Sequence, residues 1–121
     1  MRVFLDDCRD TPEGFDCRVY TAEEAILLVE TGTVTHISLD YDLGFAPRLS
    51  ENGTYYEVDV DPDAPTGGTV SRRIEALATC NLLPRLTWEL HTANPVGRSR
   101  MYADLIHANV WWDYWEEKYR G

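Results

Sequence analysis

Four carboxylates stand at the ends of two apolar runs and are the residues best suited to chemistry: Asp6, Asp7, Asp40 and Asp42. The runs are residues 2–5 and 37–39. Carboxylates packed at one place repel one another, so they need a cation or a proton to be tolerated. Because oxygen ligands suit Mg²⁺ or Mn²⁺, the four residues are predicted metal ligands. The alternative is that Asp7 and Asp42 cap loops and point to water.

A histidine, His91, follows a third apolar run, residues 86–90. An imidazole titrates near neutral pH, which suits a proton donor or acceptor. The carboxyl ends of strands in an open α/β sheet are where ligands bind, so we expect His91 and the four carboxylates at one edge. The alternative is a strand-end histidine that bonds a backbone carbonyl.

Two segments have features of helix N-termini, which can hold a phosphate through free N–H groups. In residues 94–97, Asn94 is a good N-cap, and Arg98 and Arg100 add positive charge in the first turn. Simple capping with solvent-facing arginines explains this segment equally well. Residues 66–69, Thr-Gly-Gly-Thr, resemble a small phosphate nest, and a plain loop with a threonine N-cap is the alternative.

Strands that alternate with helices must position these residues. The predicted strands are residues 2–5, 18–20, 35–39 and 86–90, and the predicted helices are residues 21–32, 69–80 and 96–119, the last with a possible break near Asn109. Thr21 and Glu24 form a predicted capping box at the first helix. Alternation of this kind predicts a parallel sheet with helices on its faces.

Composition limits the function classes. The chain has 121 residues and a formal net charge of -10, which predicts one domain, residues 1–121, and argues against general nucleic-acid binding. No apolar stretch approaches the ~18 residues that span a membrane. We therefore expect no membrane partner and a cytoplasmic location.

Residues 45–65 are irregular and form a predicted insertion or lid. Asn52-Gly53 indicates a hairpin turn, and Tyr55 and Tyr56 could stack on a base. The alternative is that both tyrosines pack on the sheet or only build the hairpin. The alternating aspartates at 59–63 fail the EF-hand pattern and predict a solvated acidic loop.

Residues 109–121 form a predicted aromatic extension of the last helix. The aromatic residues that carry this prediction are Trp111, Trp112, Trp115 and Tyr119. This is too many for a fully solvated tail, so we expect them to cover the sheet or to form a homo-oligomer face.

Several motifs together resemble one family. They are Phe4-Leu5-Asp6-Asp7-x-Arg9-x-x-Pro12, Arg18-x-Tyr20-Thr21-x-Glu23-Glu24, Ile37-Ser38-Leu39-Asp40-x-Asp42-Leu43-Gly44, Thr66-Gly67 and His91-x-x-Asn94-Pro95-Val96-Gly97. This set resembles the cyclic-phosphate-processing receiver-like family, compact relatives of response-regulator receiver domains found in phages and bacteria. The resemblance implies an α/β fold: a compact receiver/flavodoxin-like three-layer sandwich with a four-stranded, mainly parallel sheet and the 45–65 insertion.

The resemblance also implies site residues. As catalytic groups it implies His91, Asp40 and Asp6. The predicted ligand-binding groups are Arg9, Tyr41, Asp42, Thr66, Gly67, Asn94, Gly97 and Arg98. Members of the family often have His where this chain has Tyr41, so a mechanism with two histidines is not expected here.

Three functions compete. The first is a hydrolase, a phosphodiesterase acting on a cyclic nucleotide, a cyclic oligonucleotide or a 2′,3′-cyclic RNA end. The second is a non-catalytic sponge that sequesters a cyclic nucleotide, for example one used in antiviral signalling. The third, a phospho-accepting receiver, is disfavoured because Lys118 in the tail is the only lysine and no fifth parallel strand is predicted.

Overall fold

A computed structural model describes residues 1–43, 53 and 65–120 in full, and the backbone of residues 45–49 and 55–59. Its central feature is a four-stranded sheet of β1 (Arg2–Leu5), β2 (Cys17–Val19), β3 (His36–Leu39) and β6 (Thr87–Leu90). The strand order is β2-β1-β3-β6, and every pairing is parallel. The structure confirms the receiver/flavodoxin-like α/β fold and makes the sheet wholly parallel within the described residues.

The register of the sheet determines which residues meet at its carboxyl edge. Leu5 pairs with Leu39, and Leu39 pairs with Leu90. The next residue on each strand is therefore Asp6, Asp40 or His91, all at one level. The predicted convergence of these three strand ends is confirmed.

All three helices cover the same face of the sheet. They are α1 (Ala22–Glu30), α2 (Gly67–Thr79) and α3 (Pro95–Lys118). The crossovers through α1 and α2 move in the same direction along the strand order, and right-handed crossovers of that kind place both helices on one face. The buried apolar residues of the helices and the inward residues of the strands form one core cluster.

The opposite face of the sheet is covered by a loop rather than by a helix. No helix connects β1 to β2 in the described chain, and residues 6–16 form a loop instead. In this loop Phe15 packs edge-on against Phe4, with ring centroids 5.3 Å apart. The third layer of the predicted sandwich is therefore this loop, because the connection that runs the other way along the strand order, from β1 to β2, contains no helix in the described residues.

Element boundaries differ slightly from the predicted ones. Helix α2 begins two residues early because Gly67 and Gly68 are helical, and α3 runs without a break at Asn109. Thr21 is the N-cap of α1, but the predicted box is incomplete: the Glu24 carboxylate accepts from the Thr21 hydroxyl rather than from its backbone N–H. Gly32 ends that segment with a positive φ of 76°.

The insertion contains a two-stranded antiparallel hairpin of β4 (Phe45–Leu49) and β5 (Tyr55–Asp59). This confirms the predicted hairpin. Asn52 and residues 60–64 lie outside the described residues, and so do the side chains of Tyr55 and Tyr56. The lid role and the acidic loop therefore stay predictions.

The aromatic residues near the end of α3 pack mainly on α2 and on the loop after it. The Trp112 indole is buried and donates to the Leu83 carbonyl at 3.0 Å, and the Trp115 indole donates to the Ala78 carbonyl at 2.9 Å. The exposed apolar side chains of α3 are others: Val96, Tyr102, Ile106, Val110, Tyr114 and Tyr119. The homo-oligomer face predicted for the aromatic extension, residues 109–121, stays a prediction. No helix in the described part of the chain combines the length and apolar character needed to cross a membrane.

Candidate functional site

An open cleft of about 380 Å³ lies at the carboxyl edge of the sheet. Its lining residues are Asp6, Asp7, Cys8, Arg9, Asp40, Asp42, Thr92 and Ala93. All four predicted carboxylates therefore line one cleft, together with one guanidinium. The structure thus places these residues together at the predicted edge, and the cleft carries an excess of negative charge. Their roles as a site stay predictions.

Asp6 is a fully buried carboxylate that the protein holds in place. Its Oδ1 accepts from the backbone N–H groups of Cys8 and Arg9 at 2.8 and 2.9 Å. Burial alone would raise the pKa of Asp6, but these bonds and the nearby His91 outweigh it and lower that pKa. Asp6 is therefore ionised at neutral pH.

His91 has a partner on each ring nitrogen. Nε2 lies 3.0 Å from Asp6 Oδ2, and Nδ1 lies 2.7 Å from the hydroxyl oxygen of Ser38. The ring stacks on Phe4 with centroids 4.5 Å apart and an interplanar angle of 11°. The structure thus brings His91 next to Asp6 with both nitrogens engaged, but the cleft lining does not include His91.

Two guanidinium groups bind the carbonyl groups at the end of β6. Arg9 Nη1 donates to the His91 carbonyl, and Arg9 Nε lies 3.8 Å from Asp6 Oδ2. Arg98 Nη1 donates to the Leu90 carbonyl at 3.1 Å. Of the two, Arg9 lines the cleft, whereas the cleft lining does not include Arg98.

Asp40 is a cleft carboxyl group whose surroundings disfavour its charged form. It is 9% exposed, and its Oδ1 accepts from the Tyr41 N–H at 2.9 Å. Burial is the largest cause of its raised pKa, and the charge of Asp6 raises it further. A hydrogen bond from the Thr92 side chain, the electrostatic interaction with His91 and the Tyr41 N–H act the other way. A raised pKa at a cleft carboxyl group suits a residue that gains and loses a proton.

Asn94 joins α3 to the cleft. It is the N-cap of α3, as predicted, with its side-chain oxygen accepting from the Gly97 N–H at 3.0 Å. Its side-chain amide donates to Asp42 Oδ1 at 3.3 Å. Asp42 is therefore held by a side chain of the cap rather than simply pointing to water. Ligand contacts of Asn94 and Asp42 stay predictions.

The ring of Tyr41 is packed between the first turns of α2 and α3. A Cβ placed on Gly97 would clash with the Tyr41 ring, and a Cβ on Gly68 would lie 3.0 Å from it. The cleft lining does not include Tyr41 or Gly97. Gly97 is thus explained by the close approach of a ring, and the ligand contacts predicted for both residues remain untested.

The donors of the predicted phosphate nest already have acceptors in the protein. The Gly67 N–H donates to the Tyr41 carbonyl at 3.0 Å, and the Gly68 N–H donates to the Thr66 hydroxyl at 3.1 Å. Thr66 and Thr69 form a capping box. A Cβ on Gly67 would clash with the Asp40 carbonyl. The capping alternative therefore describes this segment, and ligand contacts of Thr66 and Gly67 stay predictions.

The groups placed closest together differ from the four predicted metal ligands. One donor atom each of Asp6, Asp40 and His91 lies within 4.8 Å of the other two, whereas in the described chain Asp7 and Asp42 do not join this group. Asp6 already serves two N–H groups and His91 through its two oxygens. Asp40 is consequently the carboxylate of this group with most capacity left for a ligand.

Comparison with known families identifies the chain. Residues 1–107 match the family model described as the cyclic-phosphate processing receiver domain. The chain belongs to this family. No curated protein and no solved structure gave a significant match.

In this cyclic-phosphate processing receiver domain, sequence reasoning missed three residues of the site. Ser38 and Phe4 contact the His91 ring, and Thr92 bonds Asp40. Strand alternation carried a signal for two of them: Ser38 lies between Ile37 and Leu39 and so faces away from the core, as does Phe4 between Val3 and Leu5. For Thr92, the sequence offered no comparable pattern, only its position directly after His91.

Proposed function

We propose that the protein is a phosphodiesterase that opens a cyclic phosphate in the cleft. Membership of the cyclic-phosphate processing family supports the substrate class. The observation that carries the proposal is Asp40, a nearly buried carboxyl group at the cleft whose pKa is raised by burial and by Asp6. Candidate substrates are a cyclic nucleotide, a cyclic oligonucleotide and a 2′,3′-cyclic RNA end.

In the proposed reaction, Asp40 moves a proton and water opens the ring. The Asp40 carboxylate takes a proton from water as the water oxygen forms a bond to phosphorus. One ring P–O ester bond then breaks, and the leaving oxygen takes the proton from Asp40. The product is a linear phosphate monoester, and atoms and charges balance with water as the only co-reactant.

Charge compensation is the second requirement, because a phosphate anion must enter a cleft that carries four carboxylates. Arg9 supplies one positive charge at the cleft. The oxygen donors of Asp40 and Asp6 fit Mg²⁺ or Mn²⁺, and such an ion would neutralise the cleft and the phosphate. We therefore include a divalent cation in the proposal, with Asp7 and Asp42 as outer carboxylates of the same cleft.

A non-catalytic sponge is the second candidate, and a specific observation favours it. Both nitrogens of His91 are engaged by Ser38 and Asp6, and the Tyr41 ring is packed between two helix starts. Neither residue offers a second proton-transfer group to the cleft in this arrangement. A protein that only holds a cyclic phosphate would need no such group.

The test is incubation of the purified protein with cyclic mono-, di- and trinucleotides and a 2′,3′-cyclic RNA end, with and without Mg²⁺. Products are identified by mass spectrometry, and bound ligand is recovered after heat denaturation. Asp40→Asn is compared with Asp10→Asn, an exposed carboxylate outside the cleft lining. Linear product that disappears only in Asp40→Asn supports the enzyme, intact recovered ligand supports the sponge, and no binding of any cyclic phosphate refutes both.

A further inference from the structure

We propose that Ser38 is a positioning residue, whose hydroxyl fixes the tautomer of His91 so that His91 in turn fixes the Asp6 carboxylate at the cleft. The three groups form a continuous chain, with 2.7 Å from Ser38 Oγ to His91 Nδ1 and 3.0 Å from His91 Nε2 to Asp6 Oδ2. This inference rests on the proposed function for its catalytic meaning, but the arrangement itself is independent of the substrate.

Counting hydrogens gives the direction of each bond. Asp6 is ionised and can only accept, so Nε2 of His91 must carry a hydrogen. In a neutral imidazole Nδ1 is then a lone pair, and the Ser38 hydroxyl is its donor. In this assignment the Ser38 hydroxyl hydrogen bonds Nδ1 and the Nε2 hydrogen bonds Asp6, so each contact has one donor and one acceptor. The opposite tautomer would place two acceptors, Nε2 and the Asp6 carboxylate, 3.0 Å apart.

Packing holds the chain in one arrangement. Ser38 and Asp6 have no exposed surface, and the His91 ring lies flat on Phe4. Ser38 cannot itself attack a substrate, because it is fully buried. Its hydroxyl contacts the His91 ring, and the cleft lining does not include Ser38. The role of Ser38 is to keep the half-buried imidazole oriented and in one tautomer, as hydrogen-bond partners of functional histidines do.

The consequence for the site is a fixed, ionised Asp6 beside Asp40. Asp6 accepts from two backbone N–H groups and from His91, so each of its oxygens has at least one donor. If the ring turned or changed tautomer, Asp6 would lose one of these donors. One oxygen of Asp6 lies within 4.8 Å of one oxygen of Asp40, so Ser38 acts on the proposed proton carrier through two intervening groups.

The first test is the tautomer of His91 in the wild-type protein, read from its ring ¹⁵N resonances above the pH at which the imidazole titrates. The resonances are assigned by their absence in His91→Asn. A hydrogen on Nε2 is expected. A hydrogen on Nδ1 would overturn the proposal without reference to any activity.

The second test compares Ser38→Ala with Ser38→Thr, which keeps the hydroxyl. Ser38→Ala is expected to mix the tautomers and to lower kcat on the cyclic phosphate by about 10–100-fold, the loss typical for a histidine-orienting partner. Ser38→Thr is expected to restore the Nε2–H tautomer and most of kcat. Unchanged tautomer populations in a folded Ser38→Ala would contradict the positioning role. Altered tautomers in a protein that turns over no cyclic phosphate would leave the positioning role standing and refute the proposed function instead.

Discussion

Asp6 and Asp40 end neighbouring strands, yet their surroundings move their pKa values in opposite directions. Burial raises the pKa of both, but Asp6 accepts two backbone N–H bonds and one from His91, and its pKa falls. Asp40 is next to that fixed negative charge, and its pKa rises. Two carboxylates whose pKa values are pushed apart are the arrangement from which acid and base roles are assigned.

The first prediction follows from this coupling. Asp6→Asn removes the negative charge beside Asp40, so the pKa of Asp40 should fall but stay above its ordinary value, because burial is the larger cause. The measurement is a ¹³C titration of the aspartate carboxyl groups in both proteins. Asp10→Asn is the control and should leave the Asp40 titration unchanged. An Asp40 curve that does not move in Asp6→Asn would show that the two groups are not coupled.

The second prediction concerns stability. The folded state raises the pKa of Asp40, so this group stabilises the fold below its unfolded pKa, and the contribution is lost as pH rises through the folded value. Asp40→Asn should therefore increase the free energy of unfolding at neutral pH by about 0.5–2 kcal/mol while abolishing turnover. The gain should vanish in strong acid, where both states are protonated. Urea unfolding across this pH range checks it, and destabilisation at neutral pH would contradict it.

At the residue scale, the sequence identified Asp6, Asp40 and His91 because each directly follows an apolar strand. It did not identify the partners that define their roles. The bonds from His91 to Ser38 and Asp6 join residues 53 and 85 positions apart, so they depend on the tertiary register. No local pattern around His91 specifies which atoms its nitrogens will meet.

At the element scale, Tyr41 couples the end of β3 to the starts of two helices. Its carbonyl accepts from the Gly67 N–H, and its ring fills the space beside the backbone of Gly68 and Gly97. The sequence pattern predicted phosphate-binding helix starts at these glycines. In the structure, the absence of a Cβ at these glycines leaves room for the Tyr41 ring, a requirement that the sequence does not reveal without the packing. Phosphate binding at these positions stays a prediction.

The third prediction tests this packing. Gly97→Ala should destabilise the protein by about 1–3 kcal/mol, because the new methyl group would overlap the Tyr41 ring. Removing the ring in the double variant Tyr41→Ala/Gly97→Ala should make the cost of the second change small or reverse it. Denaturant unfolding of the two single variants and the double variant gives the coupling energy. If the two losses of unfolding free energy were strictly additive, the Tyr41 ring would not be the reason that position 97 requires glycine.

At the scale of the whole molecule, strand and helix order were predictable because apolar runs and helical stripes are long and periodic. The one-sided placement of the helices was not, because it depends on the strand order β2-β1-β3-β6 and on the loop that replaces a helix between β1 and β2. For the aromatic extension, the sequence predicted packing or an interface for the segment as a whole, and it did not distinguish the buried side chains from the exposed ones. Which tryptophan is buried depends on how α3 lies against α2.

The fourth prediction tests that assignment. Trp112→Ala should destabilise the protein by about 3–5 kcal/mol, because the indole is 3% exposed and its N–H bonds the Leu83 carbonyl. Val110→Ala, on the exposed side of the same helix at 57% exposure, should change stability by less than about 0.5 kcal/mol. Thermal and denaturant unfolding of both variants provide the comparison. Equal losses of stability in the two variants would show that the buried face of α3 has been assigned to the wrong residues.

The central claim is that the cleft hydrolyses a cyclic phosphate, and the most direct measurement is the mass of the product formed in ¹⁸O-labelled water. With the cyclic ligand that binds best, the wild-type protein should give a linear monoester carrying one ¹⁸O on its phosphate, and Asp40→Asn should bind the ligand without forming it. Recovery of unlabelled, intact cyclic ligand from saturated wild-type protein, with and without Mg²⁺, would contradict hydrolysis and leave the protein as a binder of its ligand.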